Sequence, residues 1–356
     1  MAGTPDSTNS AAAGHRLIIW CVPRSGSTAL LKCLSFLREH PTTKDSNGLA
    51  TCSHEKDDDS GTDTTTENGA EVWFEPYNMS RFVRMASRKV HNEELPPELD
   101  GNEENYYRAL KAVDLMLPLV PGGLKNPNPY LISLKGIKQT LETSESKIIV
   151  VKDMACGIHG HFNFIPARFR HVFLIRDPNQ VFPSLRKLFL GLLRLDEEAK
   201  SKADIQKFHP FYSAHHWFGE LYDLWKHVRS TFDPNPLILD TADLLRHPEP
   251  CLRKICEAIG VGYQDGLLEW SASPDVVGRW QNGISESLGA ENLRETMGMK
   301  RAFESSRFAP PAMAQPPRAP STLTPDCVRI IKECDGWYKE MYQNRFVPPG
   351  SYLHDD

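Results

Sequence analysis

Six consecutive residues, Pro23-Arg24-Ser25-Gly26-Ser27-Thr28, bring together one cation, three hydroxyls and one glycine. That mixture suits an oxyanion. An arginine can fork onto a phosphate or sulfate with two parallel hydrogen bonds. A tight glycine-containing turn can aim backbone N–H groups at the same charge. The turn is not a Walker A, which needs Lys followed by Ser or Thr after its second glycine. Here Gly26 is followed by Ser27-Thr28, and the cation lies earlier, at Arg24. The standard grip on a Mg-nucleotide is therefore missing. On its own the segment also reads as a plain strand–turn–helix whose Ser and Thr merely cap the helix.

Other polar residues at the ends of apolar runs tip the balance. They are Glu75, the pair Lys152-Asp153, and Arg176, with Ser184 following Arg176 after seven intervening residues. Arg176 and Ser184 could clamp a second phosphate, distinct from the one at the loop. A local Arg176-Asp177 ion pair and a surface serine are the plain alternatives. His159 and His161 follow the Lys152 strand closely and are rival proton acceptors. The run Asp57-Asp58-Asp59 is read as a solvated charge cluster.

The elements that must position these groups follow from hydrophobic periodicity. Leu17 to Val22 reads as a strand, and Leu30, Leu31, Leu34 and Leu37 as one face of a helix. Further strands are expected at 71–77, at Lys147–Asp153, at His171–Arg176 and at Pro236–Asp240. Helices are expected within 79–118, over 131–142, after Arg176, over Phe211–Val228, over Leu252–Ile259 closed by Gly260, and from Pro325 to Tyr342. Strands alternating with helices predict an α/β fold with a parallel central sheet of about five strands and helices on both faces. In such sheets ligands bind at the carboxyl ends of the strands. Residues 1–15 read as a disordered tail, 16–346 as a single domain with a polar mobile insertion at 42–70, and 347–356 as a second tail.

The chain has 356 residues, 40% hydrophobic and 24% charged, with a net charge of −5. No global basic field favours nucleic acid. No stretch approaches the ~20 apolar residues of a membrane span. Without an apolar signal core the expected setting is cytoplasmic, and the eight cysteines are then expected as free thiols. They show no zinc spacing.

With these residues in view, the chain resembles the sulfotransferases that use 3′-phosphoadenosine-5′-phosphosulfate (PAPS), a family of P-loop NTPase-like fold. The resemblance covers roughly 16–40, 71–77, 147–190 and 236–262. It rests on Pro23-Arg-Ser-Gly-Ser-Thr28, on Arg176 with Ser184, and on the later stretch Asp243 to Gly260. It implies that Arg24, Ser25, Gly26, Ser27 and Thr28 bind the 5′-phosphosulfate and that Arg176 and Ser184 bind the 3′-phosphate. The loop and the Trp337 to Arg345 segment are similar to the sulfotransferase-like group often labelled branched-chain aminotransferase-like. Nothing points to the Schiff-base Lys and pyridine partner that a pyridoxal enzyme needs.

Many cytosolic members carry Lys-x-His after the third strand, with the His as base. Here that triplet is Lys152-Asp153-Met154. Members with a Glu after the second strand fit better, through Phe74-Glu75-Pro76. The expectation is therefore metal-independent in-line transfer of a sulfuryl group from PAPS to a hydroxyl or amine of a small-molecule acceptor. Glu75 is the expected general base, at the end of a strand expected to run beside the first, with Arg24 and Lys152 on the developing charge. Lys300-Arg301 are the nearest counterpart of the family's basic loop over the nucleotide. A P-loop kinase or NTPase, and a non-catalytic nucleotide-binding member of the fold, are the alternatives.

Overall fold

Alternation decides the centre of the fold. In β1 (His15–Cys21), Leu17, Ile19 and Cys21 point into one core while Ile18 and Trp20, followed by Val22, point into another. A strand buried on both faces must lie inside a sheet covered by helices on both sides. Four more strands complete it: β2 (Glu71–Phe74), β3 (Ile148–Met154), β4 (Arg170–Ile175) and β5 (Leu237–Asp240). All pairings are parallel, in the order β2-β3-β1-β4-β5. This is the α/β architecture expected from the sequence. The computed structural model describes residues 14–39, 43–44, 50–51, 69–116, 123–192, 196–207, 216–272, 274–288, 299–308 and 323–351.

In chain order the helices are α1 (Ser27–Leu34), α2 (Pro76–Ala86), α3 (Glu103–Met116), α4 (Leu134–Thr143), α5 (Ala155–Ile158), α6 (Pro178–Leu192) and α7 (Glu197–Lys202). They continue with α8 (Trp217–Thr231), α9 (Thr241–Arg246), α10 (Pro248–Ile259), α11 (Ser285–Leu288), α12 (Lys300–Phe303) and α13 (Pro325–Gln343). Leu30, Leu31 and Leu34 of α1 and Leu252 and Ile255 of α10 cover one face of the sheet. Residues of α4, α6, α8 and α13, among them Ile137, Val181, Trp225 and Ile330, cover the other.

One expectation is corrected. The strand leading to Glu75 does not run beside the first strand: β3 lies between them. The apolar run Ile148–Val151 is fully buried and belongs inside the sheet, whereas the four-residue β2 takes the edge. There Gln281 bonds to β2 through its backbone, its N–H to Val72 O at 2.8 Å. Helix limits also move. α2 begins at Pro76, where proline suits the first helical position, rather than at 79. The expected insertion at 42–70 lies outside the described residues except for a ribbon, Thr43–Lys44 with Ala50–Thr51, and 69–70. Of the helix expected over Phe211–Val228, residues 211–215 lie outside them, and the described helix runs Trp217–Thr231.

The strand order sets where chemistry can happen. After β1 the chain goes to one side for β2 and β3, then crosses to the other for β4 and β5. The crevice at the carboxyl end of β1 is the switch point where such sheets bind ligands. Register brings Lys152–Met154 of β3, Cys21 of β1 and Ile175 of β4 to this edge.

Candidate functional site

The loop after β1 is built from left-handed backbone. Arg24 has φ 66° and Gly26 φ 80°. Gly26 tolerates this without a Cβ; for Arg24 it is strained and needs outside support. Arg176 supplies some, its Nη1 donating to Arg24 O at 2.6 Å. The Thr241 hydroxyl lies 2.7 Å from Ser25 O and 2.8 Å from Ile175 O, tying the loop to β4. The Cys21 thiol donates to Ser27 Oγ at 3.2 Å from beneath. The loop is thus gripped by β4 and α9, and the amides of Ser27 and Thr28, ahead of the first bonds of α1 from Ala29 and Leu30 to Gly26 O, sit at its end.

The anion-binding residues expected from the sequence come together. Arg24 Nε donates to Ser184 Oγ at 3.1 Å. Arg176 spans Arg24 O and Gln180 Oε1, the latter at 3.1 and 3.2 Å. Burial lowers the pKa of Arg24, and the charge of Arg301 on α12 lowers it further. Burial lowers that of Arg176 too, and Arg24 adds to the effect, against the opposing pull of Asp240 and Asp177. Three guanidiniums acting on one another repel, an arrangement that favours a multiply charged anion. Ser25 is fully buried, with its hydroxyl beside the Cys21 thiol.

Across the crevice, Glu75 and Lys152 form a buried ion pair through Oε1 and Nζ. The Lys152 ammonium also lies over the Phe74 ring, 5.0 Å from its centre. Burial, the largest single influence, lowers the Lys152 pKa, but the charge and hydrogen bond of Glu75 together with Cys21 and Asp153 outweigh it, and the net shift is upward. Glu75 is left-handed as well, at φ 52°, and heads α2. Its other oxygen, Oε2, accepts from Asn78 Nδ2 at 2.8 Å. Asp153 is fully buried and accepts from the backbone N–H groups of Tyr77 at 2.6 Å, Asn78 at 3.0 Å and Met154 at 2.7 Å. It therefore caps α2 from the neighbouring strand.

The two histidines are engaged with groups other than Glu75 and Lys152. His159 Nε2 is 3.1 Å from Asp223 Oδ2 of α8. Burial and Arg84 lower the His161 pKa, with Glu94 opposing. Sequence reading missed Asn78, Thr241 and Lys32. Lys32 is completely buried, and its ammonium bonds Phe303 O, Ser305 O at 2.7 Å and Ala272 O at 3.4 Å. It thus ties α12, and Arg301 with it, to α1. A lysine within the apolar stripe Leu30, Leu31, Leu34 was the signal that could have exposed it. Asn78 was findable as the residue three after a helix-heading Glu, and Thr241 as the residue just past a strand end. Among the described residues no cluster of His, Cys, Asp or Glu could hold a metal ion.

No family model matches the chain. Two proteins of Arabidopsis thaliana share part of its sequence. Branched-chain-amino-acid aminotransferase-like protein 2 is 28% identical over 184 residues, which is 51% of this chain and 27% of that protein. Branched-chain-amino-acid aminotransferase-like protein 1 is 27% identical over 128 residues, 35% of this chain and 19% of that protein. The matched part thus spans about a fifth to a quarter of these relatives. Solved structures similar to this chain include sulfotransferase domains. The sulfotransferase domain from the curacin biosynthetic pathway is 14% identical, covers 90% of this chain and 97% of its own, and has a TM-score of 0.35. The sulfotransferase domain of a Synechococcus olefin synthase is 17% identical, covers 74% and 93%, and has a TM-score of 0.34. A retinol dehydratase in complex with retinol and PAP is 15% identical, covers 78% and 82%, and has a TM-score of 0.31. At such scores these likenesses do not settle the fold; the order and parallel register of the five strands do.

Proposed function

We propose that the protein is a sulfotransferase that moves a sulfuryl group from PAPS to a hydroxyl or amine of a small-molecule acceptor. One observation carries this reading. Arg24, Arg176 and Ser184 join the β1 loop to the end of β4 in a single hydrogen-bonded chain, in a loop with no Walker lysine. Ser25 to Thr28 and the amides of α1 would hold the 5′-phosphosulfate, with Arg176 and Ser184 at the 3′-phosphate. The buried Ser25 hydroxyl and the crowded guanidiniums fit such an anion.

In the transfer, the acceptor oxygen forms a bond to sulfur as the bond between sulfur and the bridging phosphate oxygen breaks. The acceptor's proton passes to the Glu75 carboxylate. The phosphate oxygen takes the electron pair, and Arg24, the loop amides and Lys152 meet its charge. No step calls on a metal. A cytosolic setting is part of this reading, supported by the seven described cysteines being thiols rather than disulfides. Among the described residues no helix is long and apolar enough to cross a membrane.

Incubation with sulfur-labelled PAPS and pooled phenols, alcohols and amines tests the proposal. Transfer of label to one acceptor class, abolished in Arg24→Ala, is expected. Hydrolysis of Mg-ATP with no transfer of label would overturn it in favour of an NTPase.

A further inference from the structure

Glu75 stands at the N-cap of α2, where a carboxylate ordinarily folds back onto an N–H of the first turn. It makes no such bond. Asp153 on β3 takes that role instead, through the Tyr77 and Asn78 amides. Freed from capping, the Glu75 carboxylate is held from two sides, by Lys152 on Oε1 and by Asn78 Nδ2 on Oε2 at 2.8 Å. Asn78 is 1% exposed, so this amide has no water to turn to. The ionised Glu75 carboxylate only accepts, so it takes the NH₂ side of the amide, and the Cys156 thiol, a weak donor, lies 3.8 Å from Asn78 Oδ1 at the other end. The close approach of α5 to α2 depends on Gly157, where a Cβ would fall 2.5 Å from Asn78 N.

We propose that Asn78 is a positioning residue for Glu75: its amide locks the carboxylate beside Lys152 so that one oxygen is presented to the acceptor's proton. This inference rests on the sulfuryl-transfer reading of the site. Asn78 does not touch the reacting atoms and acts through Glu75. Among the described residues the titratable groups that act with Glu75 include Lys152 and Asp153 of β3, Cys21 of β1 and Cys156 of α5, with Arg81 of α2 acting on Cys156. Asn78 is the neutral donor that balances Lys152 on the second oxygen.

The test compares the full-length protein with Asn78→Ala and Asn78→Asp. Carboxyl ¹³C NMR follows the Glu75 resonance, assigned by its loss in Glu75→Gln. Loss of the Nδ2 donor should move that resonance in Asn78→Ala, and kcat should fall about tenfold, the worth of one hydrogen bond to a charged group, with KM for PAPS held within about twofold. Asn78→Asp keeps the shape but puts an acceptor where the donor was; it should move the resonance and lower kcat as well, and it answers the question if the alanine variant does not fold. A Glu75 resonance and a kcat unmoved in both variants while melting temperature falls would show that Asn78 only packs, and would overturn the proposal. Absence of sulfuryl transfer in the unmodified protein would sink the function assigned above, while the carboxyl resonance still decides the role of Asn78.

Discussion

A carboxylate and an ammonium buried in contact depend on each other more than either depends on its surroundings. Side-chain exposure of 4% for Lys152 and 7% for Glu75 places their pair in this class. Glu75→Gln should therefore act twice. Loss of the base should lower turnover roughly 10²–10⁴-fold. The Lys152 charge left without its partner should cost about 3–5 kcal/mol of stability. Adding Lys152→Met should restore much of the melting temperature and none of the turnover. Affinity for PAP should survive in Glu75→Gln. An active Glu75→Gln protein alongside an inactive His159→Ala or His161→Ala would move the base to a histidine, despite the bond of His159 to Asp223.

At the level of elements, α2 is held by a cap from another strand and by a glycine-mediated contact, and both carry Glu75. Gly157→Ala would push a Cβ into the backbone of Asn78 and Tyr77, at 2.5 and 2.6 Å. Overpacking of this kind costs roughly 1–3 kcal/mol. Because the displaced helix begins at Glu75, turnover should fall while PAP affinity holds; calorimetric melting and steady-state rates measure the two. Much of this architecture was legible in the sequence. The apolar runs of β1, β3 and β4 showed themselves because both faces are buried, and strand-end polarity pointed to Glu75, Lys152 and Arg176. The neighbour of β2 was not legible, since local pattern says nothing of strand order. Asn78 and Lys32 were hidden for a related reason. Their partners, Glu75 Oε2 and the carbonyls of 272, 303 and 305, meet them only once helices and loops have packed.

For the whole molecule, stability has a built-in acid sensitivity unrelated to the site. Trp20 Nε1 donates to His171 Nδ1 at 3.0 Å within the core. Burial lowers the His171 pKa from 6.5 to about 4. The folded protein therefore keeps this ring neutral while the unfolded chain takes up a proton. The stabilisation is complete above pH 6.5 and is lost as pH falls towards 4. Between pH 7.5 and 5 the protein should lose roughly 2 kcal/mol more than His171→Phe does, read by urea unfolding at each pH.

The whole-molecule claim is that two anion positions at the carboxyl edge of one sheet hold a 3′,5′-bisphosphate without metal. Titration calorimetry with PAP, 5′-AMP and ATP in the presence of chelator tests it most directly. PAP should bind well, 5′-AMP weakly and ATP poorly. In Arg176→Ala, PAP should lose roughly 1.5–3 kcal/mol, the worth of a charge-assisted hydrogen bond. The loss for 5′-AMP should be much smaller, confined to the support that Arg176 gives Arg24. Tight ATP binding that requires Mg²⁺, together with no binding of PAP, would contradict the account.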